Sequence, residues 1–197
     1  MKDISLTPKY IRLVQGPCCC CVTAFQMILY RRGFGLFDQE ELAKDLKIKM
    51  NKHDLEAYNI KLDTYTNPSD AGMKTIESEK IINQVLKKNN ISLMATGVPI
   101  SNIPNLKEFI IRNLSKNNDL WMEWMIYNVY DEKQHKKQWN MPTWMSCHDS
   151  VIESINVGQD TKVTVVDPFW YHKPRMEMDI NKIKDALVGF IVIQKLC

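Results

Sequence analysis

The feature that most constrains this sequence is a run of four consecutive cysteines, Cys18–Cys21. Apolar residues recur at helical spacing after the run as far as Leu29, and Gly33 stands where a helix would end. Gly16-Pro17 favours a turn just before the cysteines. We therefore expect a loop to enter a helix over roughly residues 21–32, with thiols at its N-terminus.

A thiol in that position is suited to chemistry. Free backbone N–H groups and the helix macrodipole lower a thiol pKa and favour the reactive thiolate. Gln15 lies six residues before Cys21, and its side-chain N–H groups could donate to an oxyanion formed beside that sulfur. The sequence therefore predicts a nucleophilic cysteine with a nearby oxyanion donor.

A cysteine nucleophile needs a base, and the base needs an orienting group. Among the four histidines, His148 opens a strand-like run. Asp167 closes another such run nineteen residues later, directly before Pro168. Turn residues at 157–160 predict a hairpin between the two strands. That hairpin would place Asp167 beside His148.

The composition is that of an ordinary globular protein. The 197 residues are 45% hydrophobic and 25% charged, which allows a sizeable core without disulfides. A net charge of +3 is too small to predict binding to nucleic acid or to an anionic membrane. The six cysteines lack the spacing of a disulfide framework, and no signal peptide or transmembrane run is apparent. We therefore expect a cytoplasmic protein without a cofactor, and the oligomeric state stays open.

The predicted elements run from helices to strands. Helices are predicted after an Asp38/Glu41 capping box, over Ile81–Leu86, in a segment whose first turn contains Pro104, and after Asp179. Strands are predicted over Ile91–Ala95, Leu120–Val129, Ser150–Ile155, Lys162–Val166 and Gly189–Gln194, with loops at 50–74 and 131–140. Helices followed by an antiparallel strand set indicate the α+β class.

These residues together resemble the papain-like cysteine peptidase superfamily. The pattern is most similar to the branch of bacteriocin-leader (double-glycine) peptidases and their stand-alone relatives. The matching features are Gln15, Cys21, His148, Asp167-Pro168, a helix near Asn181–Leu187 and a last apolar strand, Gly189–Ile193. The resemblance covers most of the chain.

The resemblance implies a single papain-like domain over residues 1–197. Its helical half, about 1–116, would carry the nucleophile, and its sheet half, about 117–197, would carry the base. It also implies a Cys21-His148-Asp167 triad acting on a peptide or amide bond through a thioester, with Gln15 at the oxyanion. This chain has Val22 where the family usually has Gly after the nucleophile. Because the helix register also allows Cys20, five residues after Gln15, that thiol is the alternative nucleophile.

Three other hypotheses remain open from the sequence. An acyltransferase would use the same thioester and pass it to an amine or thiol. A binding module would keep the fold without activity. A zinc protein would use the C-x-x-C formed by Cys18 and Cys21 together with Cys147 and His148. Adjacent strand residues point to opposite faces, which makes Cys147 and His148 poor joint ligands.

Overall fold

The structure, a computed structural model, describes residues 2–16, 19–51, 65–66, 72–125, 147–169 and 172–196. Its helices are α1 (Cys20–Arg31), α2 (Gln39–Asp45), α3 (Glu79–Lys88), α4 (Leu106–Ser115) and α5 (Ile180–Ala186), with short 3₁₀ turns at Ile76–Ser78 and Ile100–Asn102. Its strands are β1 (Lys2–Ser5), β2 (Met50–Asn51), β3 (Tyr65–Thr66), β4 (Leu93–Pro99), β5 (Asp119–Met125), β6 (Cys147–Val157), β7 (Lys162–Val166), β8 (Arg175–Asp179) and β9 (Leu187–Lys195). The longest of these helices, α1, has 12 residues, and none of the helices in these ranges could cross a bilayer.

Seven of the strands form one antiparallel sheet in the order β4-β9-β5-β6-β7-β8, with β1 also paired to β6. Strand β6 is the longest, with 11 residues, and it carries three partners. Strand β7 pairs with its Val151–Asn156 part. Because β5 pairs with residues 147–152 and β1 with residues 154–157, these two strands follow one another along the other edge of β6. Strands β2 and β3 form a separate parallel pair.

Helices cover both faces of the sheet. On one face α1 packs against β5, where the rings of Phe25 and Trp121 stack with centroids 5.6 Å apart. On the other face α4 packs against β9, where Phe109 stacks on Phe190 at 5.4 Å. Trp121 and Phe190 point to opposite faces, since Phe190 pairs with Met122, the next residue of β5. The apolar side chains of both layers form one core.

Two glycines allow the 3₁₀ turn at Ile76–Ser78 to lie directly on the α1 face. A Cβ atom at Gly97 would come within 2.6 Å of the Ile76 carbonyl oxygen. A Cβ atom at Gly189 would come within 2.6 Å of the Val98 carbonyl oxygen and 3.2 Å of Ile76 Cδ1. The close approach lets the Ile76 N–H donate to Glu123 Oε2 at 2.9 Å. Glycine is therefore required here for proximity, which places the turn beside the polar residues of β5 and β6.

The structure confirms the α+β fold class, and most elements lie near their predicted positions. Strand β7 has the predicted bounds. The N-terminal caps are also confirmed, because Asp38 accepts from the Glu41 N–H and Asp179 from the Asn181 N–H.

Several element predictions were wrong. Strand β4 begins two residues later than Ile91 and extends to Pro99. Pro104 lies outside α4, which Asn105 caps by accepting from the Glu108 N–H. The predicted loop at 50–74 contains β2 and β3, and its residues 52–64 and 67–71 lie outside the described part. The predicted loop at 131–140 also lies outside the described part, within residues 126–146.

Two strands of the sheet were missed altogether. Strand β8, with sequence RMEMD, alternates charged residues with methionines and lies at the end of the strand order, where one face can stay polar. Strand β1, with sequence KDIS, is only four residues long and pairs with residues more than 140 positions away. Neither has a local apolar pattern strong enough to predict a strand.

Candidate active site

The β6–β7 hairpin brings His148 and Asp167 together. Val151 pairs with Val166, so Asp167, one residue beyond β7, lies opposite Ser150 and diagonal to His148 on the same face. His148 Nε2 lies 3.0 Å from both carboxylate oxygens of Asp167. The hairpin predicted from the sequence therefore produces the predicted pair of side chains.

Asp167 is completely buried, and several donors satisfy its carboxylate. Ser150 Oγ donates to Oδ2 at 2.9 Å, and the Phe169 N–H donates to Oδ1 at 2.7 Å. His172 Nδ1 lies 3.1 Å from Oδ1. Trp124 Nε1 donates to Ser150 Oγ at 3.1 Å and so fixes that hydroxyl. The carboxylate is held from several directions, which fixes its orientation toward His148.

The electrostatics of this pair favour a charged imidazole. Burial alone would raise the pKa of Asp167, but the charge of His148 and hydrogen bonds from His148 and His172 outweigh it, and the pKa lies well below its usual range. Burial alone would lower the pKa of His148, but the charge and hydrogen bond of Asp167 and the contact with Cys20 raise it well above its usual value. His148 is thus set up to hold a proton.

Helix α1 places Cys20, its first residue, at this pair. The N-cap residue, Cys19, makes no side-chain capping bond. The first hydrogen bond of the helix runs from the Thr23 N–H to the Cys19 carbonyl. The preceding N–H groups of the first turn have no acceptor within the helix. Cys20 is half-buried, and it lies close enough to His148 for each group to shift the pKa of the other. Cys21 is fully buried, with 0% of its surface exposed.

The neighbouring thiols have opposite tendencies. A hydrogen bond from Cys21 lowers the pKa of the Cys20 thiol; burial opposes this, but His148 and the Asp149 backbone N–H add to the lowering, and the pKa lies well below its usual value. Hydrogen bonding to Cys20 and burial raise the pKa of Cys21. Burial raises the pKa of Cys19 to about 12. Of these three thiols, only Cys20 is therefore electrostatically disposed to be a thiolate.

The carboxyl group of Asp149 also approaches the Cys20 sulfur, from the face of β6 opposite to His148. Asp149 Oδ2 lies 3.7 Å from Cys20 Sγ, and Asp149 Oδ1 accepts from Trp121 Nε1 at 2.7 Å. Glu123 pairs directly with Asp149 across the β5–β6 ladder. Because α1 begins near the Cys147 end of β6, its first thiol meets side chains from both faces of the strand.

Gln15 lies on a segment that is tied to the loop after β7. Its backbone N–H donates to the Pro168 carbonyl at 3.0 Å. Arg12 adds two bonds, from Nε to the Asp167 carbonyl at 3.0 Å and from Nη2 to the Phe169 carbonyl at 2.7 Å. The buried Oε1 atom of Gln15 has no hydrogen-bond partner among the described residues. The segment before the cysteines is thus held next to the residues that orient His148.

Two groups of side chains in the described ranges have the proximity needed for a metal ion. They are Cys20-Cys21-Asp149 and His148-Asp167-His172, in each of which the candidate ligand atoms lie within 4.8 Å of one another. Neither is the set proposed from the sequence, of which Cys18 lies outside the described residues. Cys147 is exposed and lies 3.5 Å, sulfur to sulfur, from Met125.

Sequence reasoning missed two residues of this cluster. Side chains alternate along a strand, so Asp149 falls on the face of β6 away from His148, and only the position of the α1 N-terminus at the end of the strand brings it to the site. Sequence reasoning had no reason to select His172, which follows Asp167 by only five residues in an aromatic loop. A polar residue beside the proposed base and a second histidine just after the proposed carboxylate were the available signals.

Comparison with solved structures identifies the fold. No family model matches the sequence, and a search of curated proteins finds no match. A "putative C39-like peptidase" from Bacillus anthracis is similar with a TM-score of 0.61 and 15% identity, over 100% of this chain and 99% of that one. A double-glycine motif protease from an AMS/PCAT transporter, solved in complex with a leader peptide, is similar with a TM-score of 0.51 and 10% identity over 100% of both chains. The chain therefore has the papain-like α+β fold that these two peptidases share and that its sequence pattern predicts.

Proposed function

We propose that the protein is a cysteine peptidase in which Cys20 is the nucleophile, His148 the base and Asp167 the orienting group. The observation that carries the proposal is the position of His148, which lies 3.0 Å from the Asp167 carboxylate and close enough to Cys20 to lower the pKa of that thiol. Cys21, the thiol preferred from the sequence, is fully buried and has a raised pKa, which disfavours it as the nucleophile. The shared fold with a protease bound to a leader peptide supports a peptide substrate.

The chemistry proceeds in two steps. The Cys20 thiolate, paired with the His148 imidazolium, attacks the carbonyl carbon of the scissile amide and pushes its electron pair onto the oxygen. His148 then donates its proton to the leaving amine, and a thioester remains. Water, deprotonated by His148, attacks the thioester and releases the acid and the thiolate. Asp167 keeps the imidazole oriented and stabilises its charge in both steps.

The oxyanion requires donors beside the Cys20 sulfur. The N–H groups at the start of α1 have no acceptor in the helix and lie at the positive end of its dipole. Gln15 is half-buried and lies on the segment next to the Asp167 loop, which supports its role as a second donor. Together these groups would stabilise the charge that develops on the substrate oxygen.

The proposal is tested by incubating the protein with a mixture of peptides and identifying new termini by mass spectrometry. Cleavage that is present with the wild type and absent with Cys20→Ser supports a peptidase. Transfer products that form only when an amine is added would instead identify an acyltransferase. Failure of both, with no preferential alkylation of Cys20, would leave a binding module. The cytoplasmic location remains a prediction from the sequence.

A further inference from the structure

The most unusual feature of the site is the carboxyl group of Asp149, which lies against the sulfur of the proposed nucleophile, Cys20. Asp149 is 3% exposed, and its Oδ2 atom lies 3.7 Å from Cys20 Sγ. Its other oxygen, Oδ1, accepts from Trp121 Nε1 at 2.7 Å, so the carboxyl group is fixed with Oδ2 toward the sulfur. The triad of Cys20, His148 and Asp167 does not use this group.

Two negative charges cannot be held together at this place. A carboxylate and a thiolate in a buried site repel each other strongly, because the low local dielectric leaves their charges poorly screened. One proton between them removes the repulsion and forms a hydrogen bond. The proton resides on either the sulfur or Asp149, and the surroundings decide which.

The surroundings of the sulfur favour the thiolate. The hydrogen bond from Cys21 stabilises the ionised form of Cys20; burial opposes it, and His148 and the backbone N–H of Asp149 add to the stabilisation. The surroundings of Asp149 favour the acid. Burial, the charge of Cys20 and the charge of Glu123 all raise the pKa of Asp149, against opposing effects of Thr75 and His148. Among the described residues, the titratable groups that face Asp149 are Cys20 and Cys21 from α1, Glu123 from β5, and Cys147 and His148 from β6.

We propose that Asp149 is a further catalytic residue, which carries a proton in the resting enzyme and donates it in a hydrogen bond from Oδ2 to the Cys20 thiolate. The thiolate then has a donor on each side of β6, the imidazolium of His148 and the acid of Asp149. Trp121 keeps the second donor in place. The inference rests on the proposed role of Cys20 as the nucleophile.

The main test is the pH dependence of Cys20 alkylation by iodoacetamide, followed by mass spectrometry. Asp149→Asn keeps a donor at this position at every pH, so it should label with a low-pH onset close to that of the wild type. Asp149→Ala loses the donor, and its onset should rise by about one pH unit or more. Asp160→Asn, which removes a carboxylate from the exposed β6–β7 turn, is the matched control and should behave as the wild type.

Three results overturn the inference. An onset that falls in both Asp149 variants would mean that Asp149 is ionised and repels the thiolate. An onset that does not change in either, or that rises equally in both, would mean that Asp149 does not act as a donor. These results differ from failure of the proposed function, in which Cys20 of the wild type itself shows no preferential labelling at low pH.

A second measurement covers the case in which Asp149→Ala does not fold. Alkylation forms the S–C bond and expels iodide, and it consumes or releases no proton by itself. A proton appears in solution only when a group that the thiolate had kept protonated ionises afterwards. At neutral pH, wild-type protein should release more protons per labelled Cys20 than Asp149→Asn, in which only His148 can contribute. Equal release from the two proteins would contradict an Asp149 proton that is held in place by the Cys20 thiolate.

Discussion

Each end of α1 lies on buried acidic residues of the sheet, but the groups that donate hydrogen bonds to those residues differ in charge. At the C-terminal end, Arg31 Nε and Arg32 Nε each lie 2.6 Å from an oxygen of Asp119, and Tyr10 adds a third donor at 2.6 Å. At the N-terminal end, Asp149 and Glu123 receive neutral donors, the Trp121 indole and the Ile76 N–H. The first carboxylate is neutralised by fixed charges, whereas the second pair is not.

The difference distinguishes structural from chemical use of buried charge. Guanidinium groups stay protonated at any accessible pH, so the Asp119 cluster is fixed and serves to attach α1 and the N-terminal segment to β5. Thiol, imidazole and carboxyl groups exchange protons near neutral pH, so the Cys20 cluster can change charge during a reaction. Helix polarity adds to the contrast, because anions are stabilised at the N-terminus and cations at the C-terminus.

We call the N-terminal end of α1, with Cys20, Cys21, His148 and Asp149, the reactive end. The strongest test of the comparison is to remove each of its two helical thiols, Cys20 and Cys21, in turn. Cys20→Ser should lower peptide cleavage by about 10⁴-fold or more, because serine is a far weaker nucleophile at this site. Cys21→Ser should retain most of the activity, since a hydroxyl can still donate to Cys20. Cleavage rates of both variants measure the difference. The reverse order would identify Cys21 as the nucleophile.

Asp167→Asn should give the next largest loss. An amide cannot stabilise the imidazolium and leaves His148 in the wrong tautomer for much of the time, which predicts a loss of about 10²- to 10⁴-fold in turnover. The rate of Cys20 labelling at neutral pH should fall with it. Asp160→Asn on the exposed hairpin turn serves as the control. A normal rate in Asp167→Asn would remove Asp167 from the proposed triad.

The site could be predicted from the sequence where it depends on local order, but not where it depends on packing. His148 and Asp167 lie on one hairpin, whose strands and turn are local in sequence, so their meeting follows from pairing alone. The choice between Cys20 and Cys21 depends on where α1 begins and how it lies on the sheet. A shift of one residue in the helix start rotates the side chains by about 100° and changes which thiol meets His148.

The same distinction applies to the fold. Helix α1 and strand β7 have strong local patterns and lie within one residue of prediction. Strands β1 and β8 gain their order from partners, since β1 pairs with the far end of β6 and β8 with β7. Gly97 and Gly189 carry no sequence signal of their function, because the close approach of Ile76 is visible only once three distant segments are packed.

At the structural end of α1, Asp119→Ala should destabilise the fold without changing the site chemistry. Removing the carboxylate leaves Arg31 and Arg32 buried without their partner, which typically costs about 3–5 kcal/mol. Denaturant unfolding measures this loss. The pH dependence of Cys20 labelling should stay unchanged below the unfolding transition. A shifted labelling profile would show that the two ends are coupled through α1.

The stability of the reactive end should depend on pH in two opposite ways. The pKa of Asp167 is lowered, so its stabilisation is present above the unfolded value of about 3.9 and is lost as pH falls through the folded value. The pKa of His148 is raised, so its stabilisation is complete below about 6.5 and is lost as pH rises through the folded value. The difference in melting temperature between the wild type and Asp167→Asn should therefore be largest between about pH 3.9 and about pH 6.5. A difference that is constant with pH would contradict the ion pair.

Chelation should have the smallest effect, because the reactive end is expected to work through protons alone. A zinc ion on Cys20, Cys21 and Asp149 would require all three as anions. The hydrogen bond to Cys20 and burial raise the pKa of Cys21, and Trp121 holds the Asp149 carboxyl group, so both residues would have to give up favourable contacts. We expect no stoichiometric zinc in purified protein and the same melting temperature with and without chelator. Bound zinc whose removal lowers the melting temperature and exposes Cys20 to alkylation, but not in Cys21→Ser, would show that these residues form a metal site.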